Sequence, residues 1–159
     1  MRPNLLVDSR DVRFVLFEMF DILKLSEYDI YKEFDRDTYE AVLDLAEQIA
    51  MEEVYPANAI ADKEGVTFNP DDHTVIVPQV YKKAMQAFNE AGFTGLVQPV
   101  DYGGMGMPEM LYRSALEYFL AASISFTIYI TLSNGATNLV RIFGNEEQKR
   151  LYLEKMVSG

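Results

Sequence analysis

Residues able to do chemistry are few in this 159-residue chain, and they stand apart from one another. His73 is its only histidine. It follows Asn69-Pro70-Asp71-Asp72, a turn signal, and reads as a solvated loop residue rather than a base or a ligand. A di-iron helical bundle takes two Glu-x-x-His pairs, which one histidine cannot supply. Cysteine is absent, so disulfides, thiolate zinc sites and cysteine nucleophiles are excluded. A serine triad has no partner set. The acid pairs Glu52-Glu53, Asp71-Asp72 and Glu146-Glu147 read as solvated faces or as helix-start charges that suit the dipole. The glycine run Gly103-Gly104-Met105-Gly106 lacks the preceding strand and the spacing of a dinucleotide fingerprint, so it reads as a tight turn between helices. On residues alone the chain shows no catalytic, cofactor-binding or metal centre.

The elements that would position any site are helical. From Asp11 to Leu25, the residues Val12, Val15, Leu16, Met19, Phe20 and Leu23 fall on one helical stripe, with Phe14, Phe17 and Ile22 off it. A helix apolar on several sides must be covered on several sides. Asp37 reads as the N-cap of a second helix with Glu40 as its capping-box partner. That helix buries Tyr39, Val42, Leu43, Ala46, Ile49, Ala50 and Val54, bends at Pro56 and stops at Gly65. Thr74 to Val77 could be extended, with no second strand evident. A third helix starts near Pro78 or Gln79 and closes at Gly92. Pro108 suits the first turn of a fourth, which runs to about Ala122. A fifth runs from about Ser125 to Phe143, and Asn145 caps a last one with Gln148 as partner. The fold class is therefore all-α: an up-and-down bundle of five or six helices with an extra leading helix.

Composition sets the outer bounds. The chain is 49% hydrophobic and 25% charged, as a single folded domain should be. Its 25 acids against 14 bases give a formal charge of −11, which repels nucleic acid and anionic lipid. Tyr118 to Val140 carries no formal charge over the length of a membrane span. Its Ser, Thr, Asn and Gly residues and the lack of a flanking basic cluster make it two buried helical segments instead. The start lacks the pattern of a secretory signal.

Two stretches carry a resemblance. Gly92 to Gly106, Gly-Phe-Thr-Gly-Leu-Val-Gln-Pro-Val-Asp-Tyr-Gly-Gly-Met-Gly, resembles the segment that acyl-CoA dehydrogenases carry after their third helix. Phe143 to Gly159, opening Phe-Gly-Asn-Glu-Glu-Gln-Lys-Arg-Leu, is similar to that family's other amino-terminal hallmark, in the right order and separation. The opening Asp8 to Leu16 and the run Asp62-Lys63-Glu64-Gly65 resemble the long subgroup containing 3-methylmercaptopropionyl-CoA dehydrogenases.

The resemblance implies a leading helix and connector over residues 1–36 and the family's amino-terminal helical domain over 37–159, with the flavin-binding β domain and carboxy-terminal bundle absent. For the family it implies an FAD-dependent oxidation of an acyl-CoA thioester to the α,β-enoyl-CoA. A glutamate base removes the α proton while the β hydride passes to flavin, and electrons then leave to an electron-transfer flavoprotein. Both the base and the main flavin motif would fall outside this stretch, so the fragment alone is expected to be inactive and to hold no FAD. Carried onto this chain, the family pattern places Thr131, Leu132 and Gly135 in a substrate pocket around the acyl tail. A homo-oligomer located in the cytoplasm, with no nucleic-acid partner and no membrane span, completes the expectation. The alternative from the residues themselves is a helical binding or oligomerisation module without catalysis.

Overall fold

The computed structural model of the chain describes residues 4–159. A short α1 (Ser9–Arg13) is capped by Asp8, whose carboxylate accepts the Arg10 amide at 2.9 Å. It runs on into a π-helical turn, Phe14–Met19. Asp21, with φ of 50°, ends that turn, and a 3-10 segment, Ile22–Glu27, follows. The regular helix expected from Asp11 to Leu25 is thus broken into three geometries. A π turn bonds i to i+5 and takes in an extra residue, so the apolar stripe rotates. Val12, Leu16, Phe17 and Ile22 are buried, while Val15, Met19 and Phe20 of the expected stripe face solvent.

The second rod comprises α2 (Arg36–Ile49), a π segment (Ala50–Val54) and α3 (Tyr55–Glu64). Its N-cap is Asp35, not Asp37. The Asp35 carboxylate accepts both the amide and the hydroxyl of Thr38, at 2.8 and 2.7 Å. A cap two residues earlier satisfies two donors at once and leaves Asp37 in the first turn, where a negative charge suits the dipole. Glu40 is then free to pair with Arg13 and Arg36. Pro56 removes one amide from the ladder, and the backbone answers with the π segment directly before it. Gly65, at φ 71°, stops the rod. The buried residues Tyr39, Leu43, Ala46, Ile49, Ala50 and Val54 match the expected face.

Next comes a hairpin that the sequence reading saw only in half. β1 (Thr67–Asn69) pairs antiparallel with β2 (Thr74–Ile76), Phe68 opposite Val75. Three residues are too few to show alternation. The pairing is set by its turn, where Asn69 accepts the Asp71 amide, Asp72 accepts the Thr74 amide, and His73 is left-handed at φ 58°.

α4 (Gln79–Glu90) ends at a left-handed Gly92. A loop with two 3-10 turns leads to α5 (Glu109–Ala122), for which Pro108 is the N-cap rather than the first helical residue. Ser123 separates α5 from α6 (Ile124–Phe143), and its hydroxyl accepts the Phe126 amide. α7 (Glu146–Ser158) opens with the expected capping box, Asn145 and Gln148 exchanging hydrogen bonds of 2.9 Å each.

Counting α2 and α3 as one rod, five helices follow the leading one, and the hairpin is the only sheet among the described residues. The all-α bundle is as the sequence implied. α3 packs on α4, α5 on α6 and α6 on α7, while α2 crosses to α5. The centre is aromatic: Phe88 of α4 meets Phe119 of α5 edge-on at 4.9 Å and Phe93 at 5.3 Å. No helix among the described residues is long and apolar enough to cross a membrane.

The leading segment is held by polar as well as apolar contacts. Glu40, Asp44 and Glu47 recur at helical spacing along α2. Arg13 donates to Glu40 at 2.7 Å, to Asp44, and to the Tyr118 hydroxyl at 3.3 Å. Asn4 and Ser9 both donate to Glu47, at 2.8 and 2.7 Å. Burial opposes the Arg13 charge, but Glu40 and Tyr118 outweigh it and hold the guanidinium pKa above its ordinary value.

Candidate functional site

α6 turns about 100° per residue, and its two sides differ. One carries Ile124, Ile128, Leu132, Gly135, Leu139 and Ile142, spaced by three or four residues and all on the surface. Leu132 is 69% exposed and Leu139 61%. This is an apolar stripe that nothing among the described residues covers. At Gly135 the stripe is notched, because a Cβ built there would meet no atom within 4 Å. Thr131 sits at its edge, half-buried, its hydroxyl donating back to the Thr127 and Ile128 carbonyls at 3.2 Å each. A threonine bonded to its own helix offers a methyl, not a free donor, to whatever lies outside. The structure therefore brings Thr131, Leu132 and Gly135 together on one open face.

The other side of α6 lines a partly open hollow between helices. Ile130, Ser133, Asn134 and Thr137 face α4, α5 and α7 across a cavity of about 390 Å³. None of the three sequence-derived residues reaches it. Its wall includes Tyr112 of α5, which is 2% exposed and whose hydroxyl has no hydrogen-bond partner among the described residues. Burial pushes the Tyr112 phenol pKa up, with Arg113 and the nearby Asn134 pulling it partly back. Asn134 is thus a neighbour that stops short of bonding geometry. Sequence reasoning missed Tyr112 because it lies on a different helix, and no local spacing links it to Asn134.

The glycine loop is a turn, as expected, and its amides are spent within the loop itself. Gly104 donates to Pro99, Met105 to Gly95, Gly106 to Gln98 and Met107 to Leu96, at 2.9–3.0 Å. A phosphate cradle needs such amides free. The loop therefore does not fit a flavin or dinucleotide. His73 lies on the exposed hairpin against the Phe68 ring at 6.4 Å.

The acyl-CoA dehydrogenase N-terminal domain model matches residues 36–159. The chain belongs to the acyl-CoA dehydrogenase family. It is 30% identical to a 3-methylmercaptopropionyl-CoA dehydrogenase of Ruegeria pomeroyi over 94% of its length and 25% of the relative's. It is 33% identical to a butyryl-CoA dehydrogenase of Syntrophomonas wolfei over 98% of this chain and 26% of that one. A broad-specificity linear acyl-CoA dehydrogenase of Mycobacterium tuberculosis is 28% identical over 89% of this chain and 23% of its own. The chain thus spans about a quarter of the length of these relatives. The family match starts at the head of α2, whereas the alignments to the first two relatives leave little room to exclude the leading segment.

Proposed function

We propose that this chain is the amino-terminal helical part of an FAD-dependent dehydrogenase that oxidises an acyl-CoA thioester to the α,β-enoyl-CoA. Thr131, Leu132 and Gly135 form one wall of its acyl pocket. The observation that carries this reading is the notched stripe on α6. A methylene chain lying there is in contact with Leu132 and the Thr131 methyl, and the missing side chain at Gly135 leaves room for bulk or a substituent. A stripe open to solvent is half a pocket, and the other half comes from chain beyond this stretch in the family's longer members. The names of these three relatives denote acyl-CoA thioesters, which supports the substrate class.

In this reading residues 1–36 are a leading helix and connector and 37–159 the family's helical domain. The described residues supply no flavin cradle, so no redox or proton-transfer step is assigned to them. FAD, the catalytic base and the contact with an electron-transfer flavoprotein belong to the further domains, as does assembly into a homo-oligomer. The stretch alone is inactive, and the complete protein is cytoplasmic.

The test is to express the chain with the continuation of its reading frame and follow acceptor-dye reduction by a series of acyl-CoA thioesters. A yellow protein is expected, and Gly135→Leu should lower kcat/KM for long or branched thioesters by roughly 10- to 100-fold while sparing short ones. A colourless, well-folded longer protein, or an unchanged chain-length profile in Gly135→Leu, argues against the reading.

A further inference from the structure

The hollow between α4, α5, α6 and α7 lies on the side of α6 turned away from Leu132 and Gly135. Its volume is about 390 Å³, and Met85, Ile130 and Met156 give it an apolar floor. The polar groups around that floor are of both kinds. Ser133 and Thr137 donate to the Tyr129 and Ser133 carbonyls of their own helix, at 2.8 and 2.9 Å, and keep oxygens that accept. The Asn134 and Asn89 side-chain oxygens accept from Asn138 and Thr94, which leaves their NH2 groups to donate. Tyr112 is buried, and its hydroxyl has no partner among the described residues. Lys155, the one charged side chain on the lining among the described residues, is exposed. A wall that both donates and accepts around an apolar floor is complementary to polypeptide backbone, which brings one N–H and one C=O per residue and no net charge.

The chain itself arrives at this rim. α7 ends at Ser158, and Gly159 lies on the lining. Gly159 is left-handed at φ 92°, and a Cβ there would crowd the Asn89 side chain at 2.5–2.6 Å. A bare backbone therefore suits so close a passage along α4. The first two relatives are about four times as long as this chain, so in a protein of their length the polypeptide runs on from this point.

We infer that the residues directly following Gly159 in the longer protein form a strap that seats in this hollow. Their apolar side chains pack on Met85, Ile130 and Met156, and their backbone bonds to Tyr112, Asn134 and Ser133. The inference rests on the reading of this stretch as the amino-terminal part of a longer enzyme. A strap seated there fixes the domain that follows against the same helix whose far side is the proposed acyl wall.

Hydrogen exchange, followed by mass spectrometry on the protein expressed with the full continuation of its reading frame, tests this. The first peptide after Gly159 should exchange slowly in the parent. Tyr112→Phe removes one hydroxyl from the wall, and Ser133→Phe fills the hollow from a position exposed to it. Each should speed exchange in that peptide by about tenfold and leave the peptides of α2 unchanged. Leu139→Lys, on the opposite side of α6, should leave the peptide after Gly159 as it is in the parent. If Ser133→Phe does not fold, Tyr112→Phe decides. The inference is overturned if that peptide exchanges freely in the parent, or exchanges alike in the parent and the folded variants. Changes confined to other parts of the protein give the hollow another occupant, a second copy included, and overturn it as well. No flavin or thioester enters the measurement, so a colourless protein defeats the dehydrogenase reading alone, and unaltered exchange defeats the strap alone.

Discussion

Single residues matter in this fold where a polar group or a bare backbone takes the place of a side chain. Arg13 holds the leading segment to α2 through two acids and a phenol, and its side chain is only 21% exposed. Removing it leaves Glu40 without that partner in a partly closed site. Arg13→Met should therefore destabilise the chain by about 2 kcal/mol in urea unfolding, more than an exposed ion pair is worth. Lys32→Met, at the exposed pair with Asp29, should change little by the same measurement. Gly104 is the other sensitive point. A Cβ there would run into the Gln98 backbone carbonyl, which cannot swing away as a side-chain tip can. Gly104→Ala is expected to cost about 3 kcal/mol on the same scale.

At the scale of elements, caps and helix period decide the outcome. Thr38, through its hydroxyl and then its amide, holds the Asp35 carboxyl below its ordinary pKa. A depressed carboxylate contributes stability that is present above the unfolded pKa of about 4 and lost as pH falls through the lower folded value. Asp35→Ala should lower Tm at neutral pH, and the gap from the parent chain should close below about pH 4 in thermal melts by circular dichroism. The π turn of the leading segment makes a sharper forecast. If it rotates the stripe as described, Leu16→Ala should cost about 3 kcal/mol in denaturant unfolding. Met19→Ala, on the side that a regular helix would have buried, should cost under about 1 kcal/mol.

For the whole molecule, the dominant feature is the uncovered stripe of α6. Exposed apolar side chains scattered singly are ordinary, but a run aligned along a helix of twenty residues is a surface that seeks cover. Sedimentation velocity should show the 159-residue chain associating as its concentration rises. The pair Leu132→Lys and Leu139→Lys should suppress this without lowering Tm, because neither side chain supports the core. Association unaffected by the pair would place the sticky surface elsewhere, with the exposed Phe14, Met19 and Phe20 of the leading segment next in line.

Much of this architecture was legible in the residues themselves. The Asn145–Gln148 box, the Gly65 and Gly92 stops and the buried face of α2 depend on neighbours within a turn or two, which is the range over which local sequence acts. The two glycine-marked junctions resemble acyl-CoA dehydrogenases, and the family match bears that out. The π turns at Phe14 and Ala50 and the split between the two sides of α6 were decided only in three dimensions. Each depends on a group far away in sequence or on a backbone geometry with no residue signature. The chamber around Tyr112 is the clearest case. Tyr112 on α5 and Asn134 on α6 share one wall only because the bundle closes, and closure is a property of packed faces that no short stretch of chain contains.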